Sequence, residues 1–94
     1  ITYQASAESV RFSTGGRVLS LPNSPQALRG FTASCVCVDE AAFVDNLEDV
    51  MQSIAPTLTR DPDAELVLAS TPAGRNGKFY EMWDRAGSDP DWYV

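Results

Sequence analysis

The fold is decided by the stretch Cys35-Val36-Cys37-Val38-Asp39-Glu40, a short apolar run that ends in two adjacent carboxylates. Small and β-branched side chains in this run predict a strand that is buried on both faces of a parallel sheet. The acidic pair, Asp39 and Glu40, then falls at the carboxyl end of that strand, the edge of an open α/β sheet where ligands bind. Carboxylates at such an edge are costly unless a metal ion or an arginine lies opposite them.

Two interpretations of the acidic pair follow. P-loop NTPases place an Asp and a Glu at this position, where the Asp holds Mg²⁺ and the Glu polarises the attacking water. The same residues also suit a strand that runs into a solvated acidic turn. The hexapeptide alone does not decide between these interpretations.

Composition limits the function further. The chain has 94 residues, which is the size of one small domain or of a piece of a larger one. Its net charge of −6 argues against stand-alone nucleic-acid binding, because phosphate contacts need clustered Lys and Arg. The absence of histidine excludes histidine-based catalysis and most zinc sites. Cys35 and Cys37 are predicted to be small core residues in a reducing cytoplasm, and we expect no membrane-spanning segment.

The first part of the chain predicts a β-hairpin. Residues 8–12 and 17–21 alternate between apolar and polar side chains, and the intervening residues 13–16 contain two glycines suited to a tight turn. Prolines then interrupt the strand pattern, and residues 26–30 are predicted to form a short helical turn or loop. The buried strand follows near residues 34–38.

The rest of the chain predicts a helix, a strand and a second helix. Asp45 and Glu48 have the spacing of a helix N-terminus, and Pro56 is expected to weaken that helix near its end. A turn at residues 61–64 leads to a second buried strand at 65–69. A helix over residues 78–86 is expected to stop at Gly87. Each helix carries an apolar stripe that is predicted to face the core: Leu47, Val50, Met51 and Ile54 in the first, and Phe79, Met82, Trp83 and Ala86 in the second.

The second strand also ends in polar residues, Ser70 and Thr71. In a parallel sheet, both strand ends lie on the same edge, so these hydroxyls are expected beside the acidic pair. There a hydroxyl can bond to a nucleotide phosphate or its water and respond to the γ-phosphate. The alternative is that Ser70 and Thr71 make local turn hydrogen bonds where Pro72 ends the strand.

Four motifs together resemble the large subunits of terminases, the DNA-packaging motors of tailed bacteriophages. The motifs are, in order, Leu28-Arg29-Gly30, Val36-Cys37-Val38-Asp39-Glu40-Ala41-Ala42-Phe43, Leu68-Ala69-Ser70-Thr71-Pro72-Ala73-Gly74 and Asn76-Gly77-Lys78-Phe79-Tyr80. The resemblance implies an α/β fold: part of a RecA-like P-loop ATPase core, with a mostly parallel sheet, flanking helices and an N-terminal β-hairpin. It also implies that residues 1–94 are the C-terminal part of the ATPase domain.

The resemblance also implies roles for five residues. Asp39 would hold Mg²⁺ and Glu40 would activate water, as in a Walker B element. Ser70 and Thr71 would contact the nucleotide and couple hydrolysis to movement on DNA. Arg29 resembles a finger that reaches the ATP of a neighbouring subunit, a task that suits a permanently charged, planar guanidinium. The alternative for Arg29 is a surface residue at the end of a helical turn.

The implied cofactors and partners are those of a packaging motor. The full-length protein would use ATP and Mg²⁺ in a homo-oligomeric ring. It would act on double-stranded DNA together with the portal protein and the small terminase subunit. Its location would be the cytoplasm of the bacterial host cell.

The chain departs from the family in two respects. It contains no Gly-x-x-x-x-Gly-Lys-Ser/Thr phosphate loop, and the nuclease domain that follows in the family is also missing. The chain is therefore expected to be a fragment that neither hydrolyses ATP nor cuts DNA by itself. Without an upstream half, the sheet edge beside the Asp39 strand would stay uncovered and open to pairing with another chain.

Two other functions stay open. Superfamily-2 helicase-like ATPases also carry an Asp-Glu-Ala box and a later Ser/Thr motif, but they commonly have Asp or His where this chain has Ala42. The other candidate is a non-catalytic interaction module whose acidic strand ends are only solvated.

Overall fold

The computed structural model describes residues 2–94 as a mixed α/β fold with two separate sheets. Three strands form an antiparallel sheet and two strands form a parallel one, so the expectation of a mostly parallel sheet is wrong. The elements in chain order are β1 (Tyr3–Ala5), β2 (Ser9–Phe12), β3 (Arg17–Leu19), α1 (Pro25–Leu28), β4 (Cys35–Asp39), a 3-10 turn (Ala41–Phe43), α2 (Leu47–Thr59), β5 (Glu65–Ala69) and α3 (Lys78–Ala86).

The predicted hairpin is present as β2 and β3. Val10 pairs with Val18 in an antiparallel register, and Gly15 adopts a φ of +94° at the turn, a value that glycine tolerates best. A third strand, β1, extends the two-stranded hairpin and pairs with β2 through Gln4 and Arg11. All residues of β1 are exposed, so this strand adds nothing to the core.

The parallel pair β4 and β5 is joined through the crossover helix α2. The register runs from Cys35 opposite Glu65 to Asp39 opposite Ala69. Parallel strands need such a helical connection, because a tight turn cannot return the chain in the same direction. The predicted order of strand, helix, strand and helix is therefore confirmed.

The parallel pair is covered on one face rather than on two. Exposure alternates along both strands, so that Val36 and Leu66 are half-buried whereas Cys37 and Val67 are exposed. The prediction of strands buried on both faces is wrong, as is the prediction that Cys35 and Cys37 belong to the core; both are exposed free thiols. A short apolar run does not reveal how many of its faces are covered, because that depends on which other elements pack there.

Helix α2 begins within the predicted segment but is capped differently and extends beyond Pro56. It starts at Leu47, inside the predicted Asp45–Glu48 segment, but the expected capping side-chain hydrogen bond is not formed and the N-cap is Asn46, in a left-handed conformation with φ +55°. The helix also continues past Pro56 to Thr59. The final turn is tied to the rest of the fold, because the buried Thr57 hydroxyl donates to the Phe31 carbonyl at 2.8 Å.

Helix α3 spans the predicted residues, and Gly87 is its C-cap, as expected. Its apolar stripe is not entirely part of the core. Ala86 is buried, but the side chain of Trp83 is 60% exposed. The i, i+4 spacing of Phe79 and Trp83 instead brings their rings together, with centroids 6.4 Å apart and planes inclined by 26°.

The core of this fold is small. The buried residues among those described are Ala41, Leu47, Val50, Ile54, Thr57 and Ala86, most of them from α2. The radius of gyration is 14.6 Å, above the about 12 Å expected for a compact domain of this length. None of the described helices combines the length and the apolar character needed to cross a bilayer.

The outer edge of β4 borders a large cleft. Within residues 2–94, β4 pairs only with β5, so its other edge has no strand partner. The cleft beside it has a volume of about 840 Å³ and separates β4 from residues 17–23. The sequence-based expectation of an uncovered edge beside the Asp39 strand agrees with this arrangement.

We expect Ile54→Ala to lower the free energy of unfolding by about 2–5 kcal/mol, because it leaves a cavity in the interior. Ile54 is only 3% exposed and lies on the buried stripe of α2. Urea denaturation followed by circular dichroism measures the change. The matched control is Gln52→Ala, an exposed position of the same helix, which should shift stability by no more than about 0.5 kcal/mol. Equal effects of the two substitutions would contradict this description of the core.

Candidate functional site

The register of β4 and β5 brings the acidic pair and the hydroxyl residues to one edge. Asp39 lies opposite Ala69, so the next residues, Glu40 and Ser70, leave the two strands at the same level. This is the carboxyl edge of the parallel pair, where parallel α/β sheets bind ligands. Of the five residues predicted for the site, four are therefore brought together here.

Glu40 adopts a backbone conformation that is unusual for a side-chain-bearing residue. Its φ of 51° and ψ of 43° place it in the left-handed region, and it is the N-cap of the 3-10 turn. The preceding carboxylate stabilises this geometry, because Asp39 Oδ1 accepts the Glu40 backbone N–H at 2.9 Å. Left-handed residues other than glycine cost roughly 1–2 kcal/mol and concentrate at functional sites. The sequence contains no signal for this strain.

Ser70 ties the end of β5 to the 3-10 turn. Its hydroxyl accepts the Ala42 backbone N–H at 3.0 Å and donates to the Thr71 carbonyl at 2.7 Å. The first bond joins segments that are distant in sequence, and the second is local. The Ser70 hydroxyl therefore makes both the local turn hydrogen bond of the alternative interpretation and a bond to the turn that follows the acidic pair.

Thr71 reaches the acidic pair directly. Its hydroxyl donates to Glu40 Oε2 at 3.4 Å, a long hydrogen bond between two exposed side chains. An exposed contact of this length contributes little to stability. It does show that a β5-end hydroxyl and a β4-end carboxylate lie within reach of one small ligand.

The carboxylates of the acidic pair have no cationic partner in the described part of the chain. Asp39 and Glu40 are both exposed. The ion pair present in residues 2–94 joins Lys78 to Glu48 at 3.8 Å, away from the acidic pair. The negative charge at this edge is thus available to a cation from solution.

The residues at this edge suit Mg²⁺ as a partly hydrated ion. They offer carboxylate and hydroxyl oxygens, the donors that Mg²⁺ prefers, and Mg²⁺ commonly binds one or two carboxylates while keeping its other ligands as water or phosphate. No group of three or more His, Cys, Asp or Glu side chains in residues 2–94 could enclose a metal ion. The acidic pair could therefore hold Mg²⁺ only together with water or a bound phosphate.

Arg29 is not joined to this edge. It follows α1 as its C-cap and is exposed, and no hydrogen bond or ion pair within the described residues connects it to Asp39 or Glu40. Helix α1 packs against α2 instead. Within the described residues Arg29 therefore does not contact the acidic pair, and its exposed side chain is accessible to another chain.

A cavity that the sequence analysis did not anticipate adjoins the site. It has a volume of about 230 Å³ and is called the aromatic cavity below. Its lining residues are Ala42, Ser70, Pro72, Ala73, Gly74, Asn76, Phe79, Tyr80 and Trp83. The helical spacing of α3 predicts that Phe79 and Trp83 face the core, but such spacing does not distinguish a core stripe from a cavity wall.

No known protein-family model matches this chain.

We expect Glu40→Gly to raise the free energy of unfolding by about 1 kcal/mol, because glycine adopts a φ near +51° without the Cβ clash. Glu40→Ala is the matched control: it removes the same carboxylate and its bond to Thr71 but keeps the backbone strain. Thermal unfolding of both variants separates the two effects. If Glu40→Ala stabilises the chain as much as Glu40→Gly does, the backbone is not the source of the strain.

Proposed function

We propose that this chain is the Walker B and coupling half of the ATPase motor of a phage terminase large subunit, with a RecA-like P-loop core. The motor drives double-stranded DNA into procapsids. The single observation that carries the proposal is the meeting of the acidic pair with Ser70 and Thr71 at the carboxyl edge of a parallel β4–β5 pair. The order of the motifs along the sequence supports the same assignment.

In this proposal the two residues of the acidic pair have different roles. Asp39 would hold Mg²⁺, which when bound would neutralise charge on the nucleotide phosphates. Glu40 orients a water molecule and accepts its proton. Asp39 Oδ1 accepts the Glu40 backbone N–H, and this hydrogen bond helps to hold Glu40 in its left-handed conformation.

Thr71 and Ser70 connect this chemistry to the rest of the fold. The Thr71 hydroxyl bonds to the Glu40 carboxylate, so a change in the charge or position of that carboxylate alters a bond to the end of β5. Ser70 holds the 3-10 turn against the same strand end. Together these bonds offer a short route by which hydrolysis could shift the loop that leads to α3.

The phosphate cradle has to come from outside these residues. The sequence contains no phosphate loop, so the backbone amides and the lysine that hold the β- and γ-phosphates are proposed to lie on another segment. Arg29, exposed and unconnected to the acidic pair, is proposed to act on a neighbouring subunit's nucleotide.

We expect Mn²⁺, used as a paramagnetic substitute for Mg²⁺, to broaden the amide NMR signals of Glu40 and Thr71 first. Asp39→Asn should weaken this binding by about tenfold or more, the loss typical when a metal site is disturbed. Asp49→Asn is the control, since it removes an exposed carboxylate on α2. Broadening that is spread over all acidic residues, or that is unchanged in Asp39→Asn, would contradict a metal site at the acidic pair.

We expect Arg29→Ala in the full-length motor to abolish ATP turnover while leaving nucleotide binding nearly intact. Arg60→Ala, another exposed arginine, should retain turnover. Mixing Arg29→Ala subunits with Glu40→Gln subunits tests the trans role. Some interfaces then combine an intact Arg29 with an intact Glu40, so part of the activity should return. Wild-type turnover in Arg29→Ala would exclude the finger, and absence of rescue in the mixture would place it in cis.

A further inference from the structure

We propose that the aromatic cavity binds a nucleobase, that of the nucleotide whose phosphates lie at the acidic pair. The identity of the nucleotide rests on the proposed function, whereas the base-binding property rests on the cavity itself. The inference assigns a role to α3, which the proposed chemistry does not use.

The chemistry of the cavity wall favours a flat, neutral ring. Phe79, Tyr80 and Trp83 supply aromatic surface, and no charged residue lines the cavity. A phosphate or another charged group would find no counterion there. Stacking on aromatic side chains is the usual way in which proteins bind a base without a charge partner.

The polar part of the wall suits the edge of a base. Asn76 contributes a carboxamide, which can both donate and accept hydrogen bonds, as the edge of a purine or pyrimidine requires. The Ser70 hydroxyl already bonds to the Ala42 N–H and the Thr71 carbonyl, so it is not expected to form the main hydrogen bond to a base. Asn76 is therefore the residue expected to recognise the base.

The aromatic rings are already positioned. Phe79 and Trp83 lie one turn apart on α3 with their rings inclined by 26°. Trp83 is 60% exposed, so an aromatic face beside the cavity remains open to solvent. A base placed on this face would cover apolar surface that the described chain leaves uncovered.

The cavity also lies next to the acidic pair. Ala42 belongs to the 3-10 turn that starts at Glu40, and Ser70 precedes the Thr71 that contacts Glu40. Both Ala42 and Ser70 line the cavity. One nucleotide can thus place its phosphates at the carboxylate edge and its base against α3, on the two sides of the Ser70 bridge.

Tryptophan fluorescence tests the proposal directly. The chain has two tryptophans, so Trp92→Phe leaves Trp83 as the single reporter. Adenosine, which has a base but no phosphate, should change Trp83 emission saturably. Phe79→Leu and Asn76→Ala should each weaken adenosine binding by about fivefold or more, in line with the contribution of one stacked or recognised base. Phe43→Leu, at an exposed ring outside the cavity, should leave the binding unchanged.

Two results would overturn the proposal. One is an unchanged Trp83 emission at high adenosine concentration in a protein whose circular dichroism shows it to be folded. The other is toluene binding as tightly as adenosine with no effect of Asn76→Ala, which would identify the cavity as a site for an apolar side chain. Asn76 lies on an exposed loop, so its variant remains informative even if Phe79→Leu fails to fold.

A different set of results would contradict the proposed function. Magnesium tripolyphosphate, which has no base, should compete with MgATP only if the acidic pair binds metal-bound phosphates. If it does not compete, and if Asp39→Asn leaves MgATP binding unchanged, the ATPase assignment is wrong. Continued adenosine binding in that case still supports a base site in the cavity.

Discussion

The parallel register between β4 and β5 is the constraint on which the site depends. With Asp39 opposite Ala69, the residues that follow each strand emerge at the same edge. A shift by one residue would turn every side chain of a strand to the other face and would separate Glu40 from Thr71. The site is thus a direct consequence of strand pairing, and Ser70 reinforces it with a hydrogen bond from the end of β5 to the 3-10 turn.

Strain at Glu40 persists because two other interactions over-determine its position. The side chain of Asp39 accepts its N–H, and the following turn is held to β5 through Ala42 and Ser70. Each hydrogen bond contributes about 0.5–1.5 kcal/mol, which is comparable to the cost of a left-handed residue. The core is small, and the packing of its buried residues does not by itself require a left-handed backbone at Glu40.

The sequence predicted the parts of the fold that depend on local pattern. Strand β4 follows from its apolar run, helix α2 from the spacing of its apolar stripe, and the end of α3 from Gly87. The shared edge follows from the strand–helix–strand order. The features it missed depend on tertiary context. The second face of β4 lacks a cover, and the φ of Glu40 is set by its neighbours. The aromatic cavity was missed because a helical stripe fits core and cavity equally well.

Ser70 separates two environments of opposite character. On one side lie exposed carboxylates that attract cations, and on the other lies an uncharged aromatic wall. A ligand with one anionic end and one flat, neutral end could contact both environments. Its anionic end would then need a cation between it and the Glu40 carboxylate. A nucleotide with its bound Mg²⁺ has this division of properties, whereas DNA, with charge along its whole length, does not. The proposed nucleotide, with a bound cation, is therefore compatible with the chain's net charge of −6.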